Sequence, residues 1–369
     1  MAIDRRSLLA GLAAAVATRV LPARADAQAL YISCRMDAAG QASAAMFSLA
    51  GEELFSTVLP ARGHDCTLRP GSRDVVVFAR RPGNWFIAAD PFSRAVKQTV
   101  LSAPERHFYG HGAFSPDGRI LYATENDTST GNGVIGLYAA DDFYRRIGEF
   151  SSRGIGPHDL GFLPDGRTLV IANGGLRTLP DSGREVLNRG DMQPNVALID
   201  AGHDETRAVL QLPAELRALS IRHMAIAADR TVVFGCQNEG DPAGMPYLVG
   251  TVAADGKIGL FDMPELELTA MQNYVGSVAL DADEEVIAAT SPRGGSVALW
   301  NRRSGAFLGR RAMSDVCGVA ALDHPGDFLL TSGNSGVRRM AHDQGDLART
   351  CQGKIQDWVW DNHLIPVAS

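Results

Sequence analysis

Residues 110–127 read GHGAFSPDGRILYATEND. A histidine stands a few residues ahead of a Ser115-Pro116-Asp117-Gly118 corner, and an apolar strand follows from Ile120. Proline presets the backbone for the first turn position, and glycine supplies the left-handed one, so this string is a tight turn between two strands. The same design recurs three times. Gly63-His64-Asp65 precedes Arg69-Pro70-Gly71, Pro157-His158-Asp159 precedes Leu163-Pro164-Asp165-Gly166, and Arg222-His223-Met224 precedes Ala228-Asp229-Arg230. An internal repeat of this length governs the fold before any local reading does.

Turn markers fall near residues 70, 117, 165, 229, 283 and 325. Between them run short apolar or alternating segments, such as 121–124, 134–138 and 146–150, with no long amphipathic helix. Four-stranded units repeating roughly every 40–50 residues predict a β-propeller. The C-terminal stretch 355–360 reads as an innermost strand with no partners after it. Residues 29–34, 43–48 and 54–59 read as three strands lacking an innermost one. Joining the two ends gives an all-β, seven-bladed propeller closed by N- and C-terminal strands in one blade, which leaves no long free strand edge.

Topology then places the polar chemistry. In each blade the innermost strand begins on the face that also carries the loops between second and third strands. His64, His111, His158 and His223 should therefore surround one mouth of the central channel. The loops there carry Arg80-Arg81, Glu125-Asn126-Asp127, Asn173-Gly174-Gly175, Gln237-Asn238-Glu239, Pro292-Arg293 and Ser332-Gly333-Asn334. Loops on a rigid scaffold are where binding usually sits.

Neutral imidazoles suit iron, copper and zinc, so converging histidines make a candidate transition-metal site. Asp65 and Asp159 are candidates to orient such ligands, and Cys66 and Cys317 to add thiolate. A purely structural role for the histidines is the competing expectation, and one detail favours it. His64 and His158 stand six residues before the turn proline, whereas His111 and His223 stand five before the equivalent position. In regular strands that offset turns the two pairs to opposite sides. His107, His203, His324, His342 and His363 fall in outer turns or the terminal segment and carry no expected role.

Arg80, Arg177, Arg222 and Arg293 are candidates for recognising carboxylate or phosphate groups through their planar forks. Glu125, Asn173 and Glu239 are further ligand-binding candidates on the same face. The segment from Arg177 to Pro194 is too long for a plain hairpin and reads as a functional insertion. No GxSxG, HExxH, Walker or CxxCH motif occurs. Trp358 and Trp360 are expected to pack between the closing blades.

Asp4-Arg5-Arg6-Ser7-Leu8-Leu9, an apolar run through Val20 and Ala23-Arg24-Ala25 read as a twin-arginine leader over residues 1–25. The mature propeller would then span 26–369 and act in the periplasm without a membrane anchor. Losing that leader moves the formal charge from −7 to −10, which disfavours nucleic acid and anionic membranes as partners. Five cysteines leave at least one unpaired within the chain.

The strings GHGAFSPDGRILYATEND, GIGPHDLGFLPDG (154–166), ANGGLRTLPDSGREVLN (172–188), SIRHMAIAADR (220–230) and SVALDADEEVIAATSPRGG (277–295) resemble the bacterial domain of unknown function 1513 family. The resemblance covers essentially the whole mature chain. It implies an exported propeller whose neighbours include imelysin-like iron-uptake proteins and dihaem redox proteins, and so a role in iron or metal acquisition. Residues and resemblance together favour a binding or accessory protein over an enzyme. A lactonase-like, metal-assisted hydrolase and a metal-free protein-interaction platform are the alternatives.

Overall fold

The computed structural model describes residues 29–182, 185–341, 347–349 and 354–367. The expected leader, His342 and Cys351 lie outside the described residues. Seven antiparallel sheets make up the described chain, six of them with their strands hydrogen-bonded in sequence order. Six are plain four-stranded blades, whose innermost strands are Gly63–Leu68, Arg106–Phe114, Pro157–Phe162, Leu219–Ile226, Ser277–Leu280 and Val316–Ala321. The seventh combines Leu30–Met36, Ala42–Ser48 and Glu53–Val58 with strands from the far end of the chain.

Burial follows blade geometry. Second strands are covered on both faces by neighbouring blades and are mostly apolar: Val75–Ala79 and Val286–Ser291 are buried at every position. Outermost strands have one wet face and alternate, as Ala95–Leu101 and Glu205–Gln211 do. The apolar clusters therefore lie between blades. One joins Val76, Phe78 and Phe86 to Phe108, Leu121 and Tyr138 of the next blade.

Closure differs from the expectation in one respect. Residues 355–360 are not a continuous innermost strand. Lys354–Gln356 is a 3-10 turn, and the closing strand comes in two short pieces, Val359–Trp360 and Ile365–Val367. The first pairs with Arg35 and Met36, the second with Leu30, Tyr31 and Ile32. Ile355, Trp358 and Trp360 all turn into one inter-blade core with Phe47, which strict strand alternation would forbid. Trp360 lies 4.9 Å from the Phe47 ring, and the Arg35 guanidinium covers Trp358 at 3.6 Å. The interruption brings Asp361 and His363 beside His64, whereas Leu364 turns back into the inter-blade core.

The histidine-bearing strands are irregular as well. Pairing of each with its second strand shifts register between Gly63 and Cys66, Phe108 and Gly112, Pro157 and Asp159, and Ile221 and His223. A bulge adds a residue on one side of a ladder and re-aims the side chain it carries. The five-versus-six offset therefore does not separate the histidines, because it assumed regular strands and each strand is bulged at its histidine.

Candidate metal centre at the channel mouth

His64, His111, His158 and His223 meet, and His363 joins them. Ring centroids stand 4.8 Å apart for the pairs 64–111, 111–158, 158–223, 223–363, 64–363 and 111–363. The five come from five successive blades of the ring. All are nearly inaccessible, the most exposed at 8 %. Nitrogens of His64, His111 and His158 lie within 4.8 Å of one another, as do those of His111, His223 and His363.

Close approach of the strands makes this possible. A side chain on Gly110, at φ +103°, would meet the His64 ring at 2.7 Å. The backbone of His111 is fixed by Thr124, whose hydroxyl donates to the His111 carbonyl at 3.1 Å. His363 is positioned by the break in the closing strand. Its carbonyl accepts the Ser33 hydroxyl at 2.5 Å, and the Asp361 N–H donates to the Cys34 carbonyl at 2.9 Å.

The nitrogens are poorly paired. His64 Nε2 and His111 Nε2 face each other at 3.1 Å. His111 Nδ1 lies 3.2 Å from Asp65 and 3.7 Å from Asp159. His158 Nδ1 lies 3.3 Å from an Arg222 N–H. Beyond these, His64 Nδ1, both nitrogens of His223, His363 Nε2 and Asp65 Oδ1 are buried without a hydrogen bond. Asp361 stands 3.6 Å from His64 Nδ1, too far to satisfy it. A buried polar atom left unpaired costs about 1–3 kcal/mol, so several at one point mark a place built for a ligand.

Burial sets the protonation states. It pushes His64, His158 and His223 well below the usual imidazole range and lowers His111, and the Arg222 guanidinium adds to the effect at His158, His223 and His111. His363 is brought down to about 4. Five neutral imidazoles thus face one another at neutral pH. Burial likewise pushes Asp65 and Asp159 up to about 6. Asp361 behaves oppositely: burial is outweighed by His64 and by Arg80 and Arg62, each 2.5 Å away, which hold its carboxyl below the usual range.

Two imidazole nitrogens at about 2.0–2.1 Å from a tetrahedral ion are separated by about 3.3–3.4 Å. The 3.1 Å between His64 and His111 is close to that spacing. Nitrogen-rich neutral donors suit copper, zinc, iron or nickel rather than calcium or magnesium. Thiolates do not take part among the described residues. Cys66 faces Cys34 at 3.9 Å, Cys317 donates to the Asp315 carbonyl, and burial pushes the Cys317 thiol well up.

The remaining candidates divide into two groups. Arg80, Arg222, Glu239 and Arg293 line a cavity of about 280 Å³ that also touches His64, His158 and His223. Glu125, Asn173 and Arg177 do not. Glu125 accepts from Tyr138 at 2.6 Å and Arg146 at 2.9 Å inside its own blade, because it alternates with Thr124 and faces away from the channel. Asn173 donates to the Ser152 carbonyl and to Asn195, tying two blades together. Arg177 donates to the Thr130 carbonyl. The insertion after Asn173 does reach the cavity, through Leu176, Thr178 and Arg189.

Sequence reasoning missed His363, Asp361, Tyr109 and Tyr274, and placed Arg81 on the mouth only as a loop residue. His363 is not followed by a Pro-Asp-Gly turn like those after His111 and His158. The available signal was ring symmetry: the closing blade should present a polar residue where its neighbours present histidine. His107 and His203, given no role, bond to the Pro82 carbonyl and to Asp200 respectively.

Fold and site together define a class: a seven-bladed propeller whose inner strands converge a histidine cluster at one channel mouth. The chain belongs to the family described as "Protein of unknown function (DUF1513)", whose model matches residues 57–367 and so spans all five histidines. No curated protein matches it in sequence. Among solved structures it is similar to Kuenenia stuttgartiensis hydrazine synthase, with TM-score 0.63 and 12% identity over 85% of this chain and 95% of that one. It is also similar to U3-55K, at TM-score 0.58 and 15% identity over 81% of this chain and 82% of that one. A third likeness is to the RRP9 WD40 repeats, at TM-score 0.58 and 15% identity over 86% and 84%. At these identities the likeness is one of fold alone. Among the described residues no helix is long and apolar enough to cross a membrane.

Proposed function

We propose that this propeller binds one transition-metal ion through the histidines of its channel mouth and serves as an exported accessory protein in metal acquisition. The observation that carries this reading is the group of unpaired buried nitrogens on His64, His223 and His363, beside the facing pair His64–His111. A structural histidine is normally bonded through its ring, as His107 is to Pro82. These are not. Their neutral state at pH 7 also leaves lone pairs free for an ion without a proton to displace.

Asp65 and Asp159 would act beside the ion rather than on it. Both lie on the Nδ1 side of His111, where a carboxylate fixes the tautomer and raises the basicity of the other nitrogen. An ion held there would use copper, zinc or iron chemistry. The leader expected from the sequence would bring the protein to the periplasm, where iron-uptake or dihaem redox proteins are the partners we propose.

The test is a titration of metal-free, untagged protein with Cu(II), Zn(II) and Fe(II), each in competition with a chromophoric chelator. One tightly held equivalent of at least one of these ions is the expected result. Uptake of none of the three would end the metal reading.

A further inference from the structure

The cavity beside the histidines carries more positive charge than the protein neutralises. Five arginines line it: 80, 81, 189, 222 and 293. Glu239 serves Arg222 and Arg189, at 3.4 and 3.7 Å, and Asp361 serves Arg80 together with Arg62. Arg81 and Arg293 have no carboxylate in ion-pair contact among the described residues. Each lies instead on an aromatic face: Arg81 over Tyr109 at 4.8 Å and Arg293 over Tyr274 at 4.4 Å. Stacking holds a guanidinium plane in place while leaving N–H edges for a planar acceptor. Arg81 also donates to Thr178 at 2.7 Å, which fixes its direction.

We infer that this cavity binds a small di- or tricarboxylate, gripped by Arg81 and Arg293 from opposite walls. Two features select that class. Arg81 follows the second strand Val75–Ala79 of one blade and Arg293 the second strand Val286–Ser291 of another, three blades away around a seven-membered ring. Charges so separated suit a molecule with two anionic ends better than one compact phosphate. A volume of about 280 Å³ limits the guest to a small molecule.

The anion site stands on the arginines. Its placement beside the metal rests on the metal reading above, because His64, His158 and His223 share the same walls. A polycarboxylate there could offer its inner oxygens to the ion, so that each binds better in the other's presence. Linkage makes that effect reciprocal.

Citrate is the probe, measured by calorimetry against metal-free and Zn(II)-loaded protein, with acetate and inorganic phosphate as comparisons. Citrate should bind roughly tenfold or more tighter than either comparison, and tighter still to the zinc form. Arg81→Gln and Arg293→Gln should each weaken citrate roughly tenfold while leaving zinc content unchanged. Arg293 is exposed, so its variant keeps the test meaningful if Arg81→Gln folds poorly. Citrate binding by protein that takes up no zinc would keep the anion site and remove the metal. Phosphate binding as well as citrate, or arginine variants that bind citrate normally, would overturn the inference.

Discussion

His111→Ala should weaken binding of the preferred ion by about a hundredfold or more, the largest effect of any single histidine. Changes to groups that merely orient a ligand already cost 10–100-fold, so removing the ligand common to the cluster costs at least the upper part of that range. His111 stands in both groups of nitrogens that lie within 4.8 Å, so no alternative triad survives its loss. His158→Ala leaves the group of His111, His223 and His363 intact and should cost less. Equal, small losses for both variants in the chelator competition would contradict this geometry. His107→Ala is the control: its ring bonds the Pro82 carbonyl outside the cluster, and metal content should not change.

Metal-free protein should lose stability steeply as pH falls from about 7 to 5. The sign follows from linkage. Each clustered histidine has a folded pKa depressed by burial, so below the unfolded value of 6.5 the unfolded chain binds protons that the folded one does not. His363, brought from 6.5 to about 4, would alone remove about 2 kcal/mol across that window. Asp65 and Asp159 act in the opposite sense. Raised from 3.8 to about 6, they bind protons in the folded state first and offset part of the loss as pH drops below 6. Five histidines against two carboxylates leave a net fall. Melting temperatures between pH 7.5 and 5 measure it, and the bound ion should raise them without flattening the fall, because it keeps protons off the folded nitrogens while the unfolded chain still takes them up. A metal-free protein equally stable at both ends would mean that the rings are not buried neutral.

The architecture was legible because its signal is local and repeated. Turn residues such as Ser115-Pro116-Asp117-Gly118 fix a corner by backbone preference alone, whatever surrounds them, and their spacing counts the blades. The ring closure was legible from what each end lacked. The site was legible only in part. That His64, His111, His158 and His223 begin inner strands followed from the repeat, but their aim depends on four bulges that leave no mark in the sequence. His363 depends on a strand broken by tertiary demand, as Trp358, Trp360 and Leu364 turn into one core and His363 between them turns to the histidine cluster. Glu125 illustrates the converse. It occupies a polar loop on the expected face, yet strand alternation turns it toward Tyr138 and Arg146. Arg80 and Arg81 are neighbours that sequence cannot rank. One is neutralised by Asp361, and the other has no carboxylate partner among the described residues.

The most direct test is an anomalous difference map from crystals of the protein soaked with zinc and measured at the zinc edge. The histidine reading predicts one dominant peak within about 2.0–2.3 Å of imidazole nitrogens from at least three of the five rings, His111 among them. Peaks confined to surface groups, with the five rings unliganded, would contradict it.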